Sequence, residues 1–220
     1  MRLWLVNRLR RTEDLGVIRR ISLVALVVAC SGCVSWFDRI DYFHMAPRLE
    51  YQGFSFDRPP GPLWFMRRSE MSYTNVTLRR DFTKRSATHS FYAQIYLDAL
   101  AAQPASAEEF TKLAEVPVQK APYQVREVSR HIEPATHQGQ WCIRFETTDS
   151  VLGAPVAPDQ ELVLTLRGFR CLHPAFPKTM LVFYYSERGT HDEIDPELSE
   201  EGETFLRGVR IDVAPDMPAT

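Results

Sequence analysis

The segment "TMLVFYYSER", residues 179–188, constrains the fold more than any other stretch. It is apolar on both of its faces. A strand sends alternate side chains to opposite sides of a sheet, so a strand apolar on both sides must be covered on both. This predicts a central strand with a layer packed on each side. Other segments alternate with the same period of two. "YTNVTLRRDF" places Val76 and Leu78 together, and "SFYAQIYLDAL" places Phe91, Ala93, Ile95 and Leu97 on one face. "QWCIRFETT" alternates Trp141, Ile143 and Phe145 against Cys142, Arg144 and Glu146. "ELVLTLRGFRCLHP" aligns Leu162, Leu164 and Leu166, with a bulge expected at Gly168. Short strands are expected at Phe54–Phe56 and around Trp64, and another in "YQVREVSRHIEP".

Two segments carry helix signals. In "SAEEFTKLAEV", Ser106 and Glu109 form an S-x-x-E capping box, and Phe110, Leu113 and Ala114 share a face. Pro117 is expected to end that helix. Near the C-terminus Asp195 is placed to cap a helix with Pro196 at its first position. Leu198, Phe205, Leu206 and Val209 then lie on one stripe. Strands clustered in sequence pair as hairpins, so the expected fold is α+β: a mainly antiparallel sheet flanked by two helices.

This order is similar to that of the Mog1/PsbP-like family. The resemblance lies in "GFSFDRPPG" followed by Trp64, the "SAEEF" helix, and a final strand leading to a helix with Phe205 and Leu206. It spans roughly residues 52–210 as pattern only. It implies a sandwich of that kind and an accessory binding role, and it carries over no functional residue. The segment "GFRCLHPAFPKTMLVFYYSERG" also resembles small uncharacterised bacterial lipoproteins.

The N-terminus bears on location. The run Ile21–Ala29 is apolar apart from Ser22 and is preceded by Arg19 and Arg20. It is far shorter than the roughly 20 residues of a spanning helix and matches a secretory h-region of about 7–15. Val27-Val28-Ala29-Cys30 resembles the signal of bacterial lipoproteins, in which the chain is cut before a cysteine whose thiol carries diacylglycerol. Cys30 is the preferred lipidation site and Cys33 the alternative. Neither is followed by Asp, which in that resemblance implies the outer membrane, facing the periplasm. The expected organisation is a signal peptide at 1–29, a lipidated tether at 30–50, one domain at 51–212 and a loose tail at 213–220. In the tether, Trp36, Phe37, Ile40 and Phe43 recur at helical spacing. They read as a segment packing on its own domain, with a surface-lying turn at the membrane interface as the alternative.

With 26 basic and 28 acidic residues the net charge is −2. That is no footprint for nucleic acid and gives no polybasic membrane patch. An exported chain meets an oxidising compartment, where thiols pair. If the loop "SVLGAPVAPD" turns near Val156-Ala157, Cys142 falls opposite Cys171, and a disulfide is expected. A metal held by Cys142, Cys171 and His173 is the weaker alternative.

No G-x-S-x-G elbow, H-E-x-x-H, G-x-G-x-x-G or Walker loop occurs. His191, Asp192 and Glu193 read as a polar loop, and His173 as a loop residue. Glu187 and Arg188 are expected to pair with Arg144 or Glu146. Arg79, Arg80, Lys84 and Arg85 read as a solvated hairpin end. No cofactor is implied. The expected function is a non-enzymatic envelope lipoprotein with a membrane anchor and an unnamed envelope protein partner. The alternative is a periplasmic hydrolase with a dispersed acid/histidine site, which would set His173 or His191 beside acids in a pocket.

Overall fold

The computed structural model describes residues 38–84, 86–115 and 124–212. The chain divides into two units, 1–39 and 40–220, and of the first only residues 38 and 39 are described. Cys30, Cys33, Trp36, Phe37, Arg85, Pro117 and the tail 213–220 lie outside the described residues.

The strands are β1 (Arg39–Asp41), β2 (Arg48–Tyr51), β3 (Phe54–Asp57), β4 (Trp64–Arg67), β5 (Asn75–Arg80) and β6 (Ser90–Ala99). Helix α1 (Ala107–Ala114) follows, then β7 (Gln124–His137), β8 (Gln140–Leu152), β9 (Leu162–Leu172) and β10 (Thr179–Gly189). Helix α2 (Pro196–Gly208) and β11 (Val209–Ile211) close the described chain. One sheet has the order β1-β4-β5-β6-β10-β9-β8-β7, and a second has β11-β3-β2. Strands β4 to β7 along the first sheet, and all three strands of the second, pair antiparallel with their neighbours. Among the described residues the fold is therefore mainly antiparallel sheet with two α-helices of a turn or more, as the sequence predicts.

Strand β10 lies between β6 and β9 and is covered on both faces. Leu181, Phe183 and Tyr185 enter the larger core, with Phe91, Ala93 and Ile95 of β6 and Leu198, Phe205 and Leu206 of α2. Phe54, Phe56, Val209 and Ile211 of the second sheet complete that layer. Met180 and Val182 face the other way, into a smaller core with Ile143, Leu100, Phe110 and Ala114. One run of alternating apolar residues thus supplies two hydrophobic cores. Fully burying a side chain such as Phe110 contributes about 1.5–3 kcal/mol.

Both helix caps form. The Ser106 hydroxyl accepts from the Glu109 N–H at 3.2 Å, and the Glu109 carboxylate reaches back to the Ala105 N–H at 2.7 Å. The carboxylate thus bonds one residue outside the cap itself. Asp195 accepts from the Glu197 N–H at 2.9 Å, with Pro196 opening the helix.

Three expectations are corrected. Gly168 makes no bulge: the β9 register runs unbroken past it against both β8 and β10. Glycine is needed because a Cβ there would lie 2.2 Å from the Phe183 carbonyl oxygen. Val209 is not the end of the helical stripe; it begins β11 and pairs with Phe56. The folded unit also begins ahead of residue 51. β2 pairs with β3, Met45 is buried, and Ile40, Tyr42 and Leu49 pack against the larger core.

The β7–β8 hairpin turns on Gln138 and Gly139, with φ of 53° and 79°. Two successive positive φ values make the two-residue turn whose twist matches the flanking strands. Gln138 then clasps β11, donating to the Val209 carbonyl at 3.0 Å and accepting from the Ile211 N–H at 3.0 Å.

Candidate functional site

The two cysteines meet as expected. Cys142 stands directly opposite Cys171, and the residues form a disulfide across β8 and β9. Ala135 next to Cys142 on β7 is two pairs from the hairpin turn, a hydrogen-bonded position. The β9 side of Cys142 is therefore the non-bonded kind, where antiparallel Cα atoms come closest. Both cysteines are buried in the larger core. The bond takes both sulfurs, so the alternative of a metal shared with His173 does not hold.

His173 is not a loop base. It is buried, its Nε2 lies 2.8 Å from the Gly53 carbonyl oxygen, and its Nδ1 accepts from the Ala175 N–H at 3.2 Å. Burial pushes its pKa down, against the pull of the Gly53 carbonyl and Asp212. The ring ties the β9–β10 connection to the β2–β3 turn. His191 is exposed beside Asp192. Neither histidine is brought into a pocket with acids.

A different histidine meets an acid in a packed contact. His89 Nε2 lies 2.8 Å from Glu187 Oε1, and that carboxylate also accepts from the Asp195 N–H at 2.9 Å. Glu187 is only 2% exposed. Burial pushes its pKa up, against the Asp195 N–H and the His89 bond, while the Asp195 charge adds to the rise. Phe82 stacks on His89 with ring centroids 4.1 Å apart. Next to it Glu193 accepts from Ser86, Thr88 and the Thr190 N–H. Burial opposes the Glu193 charge, but these hydrogen bonds outweigh it and hold the pKa at about 2. The whole set clasps the β5–β6 connection to the β10–α2 connection.

The expected pairing of Glu187 or Arg188 with Arg144 or Glu146 is therefore corrected. Glu187 aligns with Thr165 and, through it, Thr148, whereas Arg144 aligns with Phe169. The offset is four residues, about 13 Å along a strand. Arg188 points to the other face and donates to the Thr88 carbonyl. Arg144 pairs instead with Glu203 at 2.9 Å, and Glu146 with Arg167 at 2.7 Å. Arg167 also donates to Ser199, and the Tyr185 hydroxyl to Glu203, so this row fastens α2 to the sheet. The basic cluster is likewise absorbed in part: Arg79 pairs with Glu70 and Arg80 with Glu201, both at 2.8 Å. Trp64 Nε1 donates to the same Glu201 at 3.2 Å.

On the smaller-core side, Arg170 is buried and donates to the Ala114 carbonyl at the end of α1. Its guanidinium lies 5.3 Å from the Phe145 ring centroid. A cation there complements the helix dipole. Among the described residues, no group of three His, Cys, Asp or Glu is placed to hold a metal.

One open feature among the described residues is a groove of about 230 Å³ between the β3–β4 connection and the C-terminal half of α2. It is lined by Asp57, Arg58, Pro59 and Pro60 on one side and Thr204, Phe205 and Arg207 on the other. Phe205 is buried, so it forms the floor. Two prolines in succession stiffen the opposite wall and offer no N–H. Arg58 is fixed by the turn before it: it donates to the carbonyls of Tyr42 and Met45, and its guanidinium sits 4.0 Å from the Tyr42 ring centroid. Asp57 is partnered by Arg48 at 3.4 Å. The groove brings together charge, a hydroxyl and an apolar floor, but no histidine and no carboxylate pair.

The β7 edge is a poor docking site. β7 is exposed along most of its length and forms one edge of the large sheet. Pro134, however, sits opposite Ile143 at a non-bonded position, where its missing N–H removes a donor from the outer edge. The register also shifts between Glu127 and Ser129.

No family model and no curated protein matches this chain. Among solved structures it is similar to the Saccharomyces cerevisiae Ran-binding protein Mog1p, with a TM-score of 0.39 and 11% identity over 74% of this chain and 94% of that one. A mutant of protein Mog1 gives a TM-score of 0.37 and 13% identity over 72% of this chain and 90% of that one. A likeness of that size carries no argument about what this chain binds.

Proposed function

We propose that the protein is a non-enzymatic lipoprotein of the bacterial envelope, anchored through Cys30 or, failing that, Cys33, and facing the periplasm as a binding or accessory module. The observation that supports this most is the Cys142–Cys171 disulfide, buried in the core of the fold. Bonds of this kind persist in oxidising compartments and are rare in the cytosol of mesophiles. It agrees with the secretory and lipidation signals at Ile21–Cys30. For the binding role, the support is the use to which the polar residues are put. Glu187, Glu193, Glu201 and Glu203 each accept hydrogen bonds that join one element of the fold to another. The Pro59–Pro60 groove is an open place that a partner would use.

Metabolic labelling with a palmitate analogue tests the anchor. Wild type incorporates label and remains in the membrane after a salt wash, and Cys30→Ala loses both. Label lost only in Cys33→Ala moves the anchor to Cys33. An unlabelled wild-type protein in the soluble fraction refutes the proposal.

A further inference from the structure

We infer that the Tyr42–His44 turn is a membrane-contacting tip, with Phe43 entering the headgroup region of the bilayer and the Arg58–Arg207 groove facing its phosphates. This rests on the lipid anchor proposed above and gives the module an orientation.

Among the described apolar residues of the segment after the anchor, the structure separates Ile40 and Tyr42 from Phe43. Ile40 and Tyr42 pack against the larger core, whereas Phe43 is 78% exposed. Its ring meets the edge of Tyr42, at 5.5 Å between centroids, and Tyr42 is in turn covered by the Arg58 guanidinium. Phe43 is thus an exposed apolar ring on a rigid support. The turn is closed by the Met45 N–H donating to the Tyr42 carbonyl, and Met45 itself is buried. A large apolar side chain held outward in this way gains by leaving water.

Its place in the chain keeps it within reach of the bilayer. Phe43 lies thirteen residues after Cys30 and ten after Cys33. At about 3.3–3.6 Å per residue, even a fully extended connection to Cys30 keeps Phe43 within roughly 45 Å of the anchored thiol. The charge fits the same surface. Arg58 joins the turn to the groove, Arg207 lines the opposite wall, and the one carboxylate in the lining, Asp57, already faces Arg48. The groove therefore presents net positive charge to anionic phosphate. These few arginines are no polybasic anchor. The acyl chains hold the protein to the membrane, and the tip sets which face it turns there.

Photocrosslinking in intact cells tests this with the full-length lipoprotein. Benzoylphenylalanine is placed at Phe43 and, separately, at Val128, an apolar residue on β7 that is 61% exposed. Non-reducing gel mobility reports the Cys142–Cys171 bond and so checks that each protein is folded. The inference requires a phospholipid adduct from position 43 and none from 128. Membrane-bound protein with no phospholipid adduct at 43, with a protein adduct there instead, or with phospholipid adducts at both positions overturns it and leaves the anchor standing. Soluble, unanchored protein overturns the anchor, and the inference with it.

Discussion

Replacing both Cys142 and Cys171 by alanine removes one covalent bond from the end of the β8–β9 ladder. The two residues are 29 positions apart. Chain-entropy arguments give a crosslink closing a loop of that length about 3.6 kcal/mol of stabilisation at 25 °C. The small sulfur volumes lost from the core add to the cost, while residual pairing of the unfolded hairpin subtracts from it. A net loss of about 3–4 kcal/mol is expected against a total of roughly 5–15 kcal/mol. The variant therefore folds, but its urea midpoint falls by about 1–2 M for a slope of about 2–3 kcal/mol/M. Its thermal midpoint falls by about 6–16 °C, at 2–4 °C per kcal/mol for a chain of this size. Reducing the wild type with a strong thiol reproduces most of the shift, and reductant leaves the double variant unchanged. A double variant within about 0.5 kcal/mol of wild type would refute the reasoning, since losses that small are typical of ordinary surface changes.

Other substitutions probe how α2 and the clasp are held. Gly202→Ala should cost about 1–3 kcal/mol by overpacking, because its Cβ would lie 2.5 Å from the Tyr185 ring; helix propensity alone predicts a gain of about 1 kcal/mol, so the sign of the change in chemical denaturation decides. His173→Leu should cost about 1–3 kcal/mol by removing the ring's bonds to the Ala175 N–H and to the Gly53 carbonyl, which keeps only the Asp212 N–H, again read by urea titration. Glu193 has its pKa depressed to about 2, so its contribution is complete above the ordinary carboxyl range and fades as pH falls through about 2. Glu193→Gln should remove that part of the acid dependence, and an unchanged acid-unfolding curve would count against the clasp.

The parts of this fold legible in the sequence are those written in local periodicity. The double-faced run at 179–188 gave the central strand, Ser106 and Glu109 gave a helix start, and the turn near Val156-Ala157 gave the pairing of Cys142 with Cys171. What stayed hidden depends on alignment between distant segments. β2 and β11 have four and three residues, too few to show a period, so the second sheet was invisible. Val209 fits the stripe of α2 and the start of β11 equally well, and only its pairing with Phe56 distinguishes them. His89 and Glu187 are 98 positions apart, and no motif spacing marks them. Gly168 shows the converse error. A glycine within a strand signals a bulge or a close approach, and here the neighbouring backbone of β10 decides for the second. The Asp57–Pro60 side of the groove falls in "GFSFDRPPG", between two strands expected from the sequence, but the α2 wall that completes it lies about 145 residues away in sequence.

The central claim is that the mature protein is an exported, lipid-anchored and disulfide-bonded module. The intact mass of the protein, extracted from membranes in detergent without reductant and treated with an alkylating agent, tests it most directly. The account predicts a chain beginning at Cys30, heavier by a diacylglyceryl group and any amide-linked acyl chain, with Cys142 and Cys171 unalkylated. An acylated chain beginning at Cys33 would move the anchor and keep the claim. A chain that retains residues 1–29, bears no lipid and takes up alkylating agent at both Cys142 and Cys171 would contradict it.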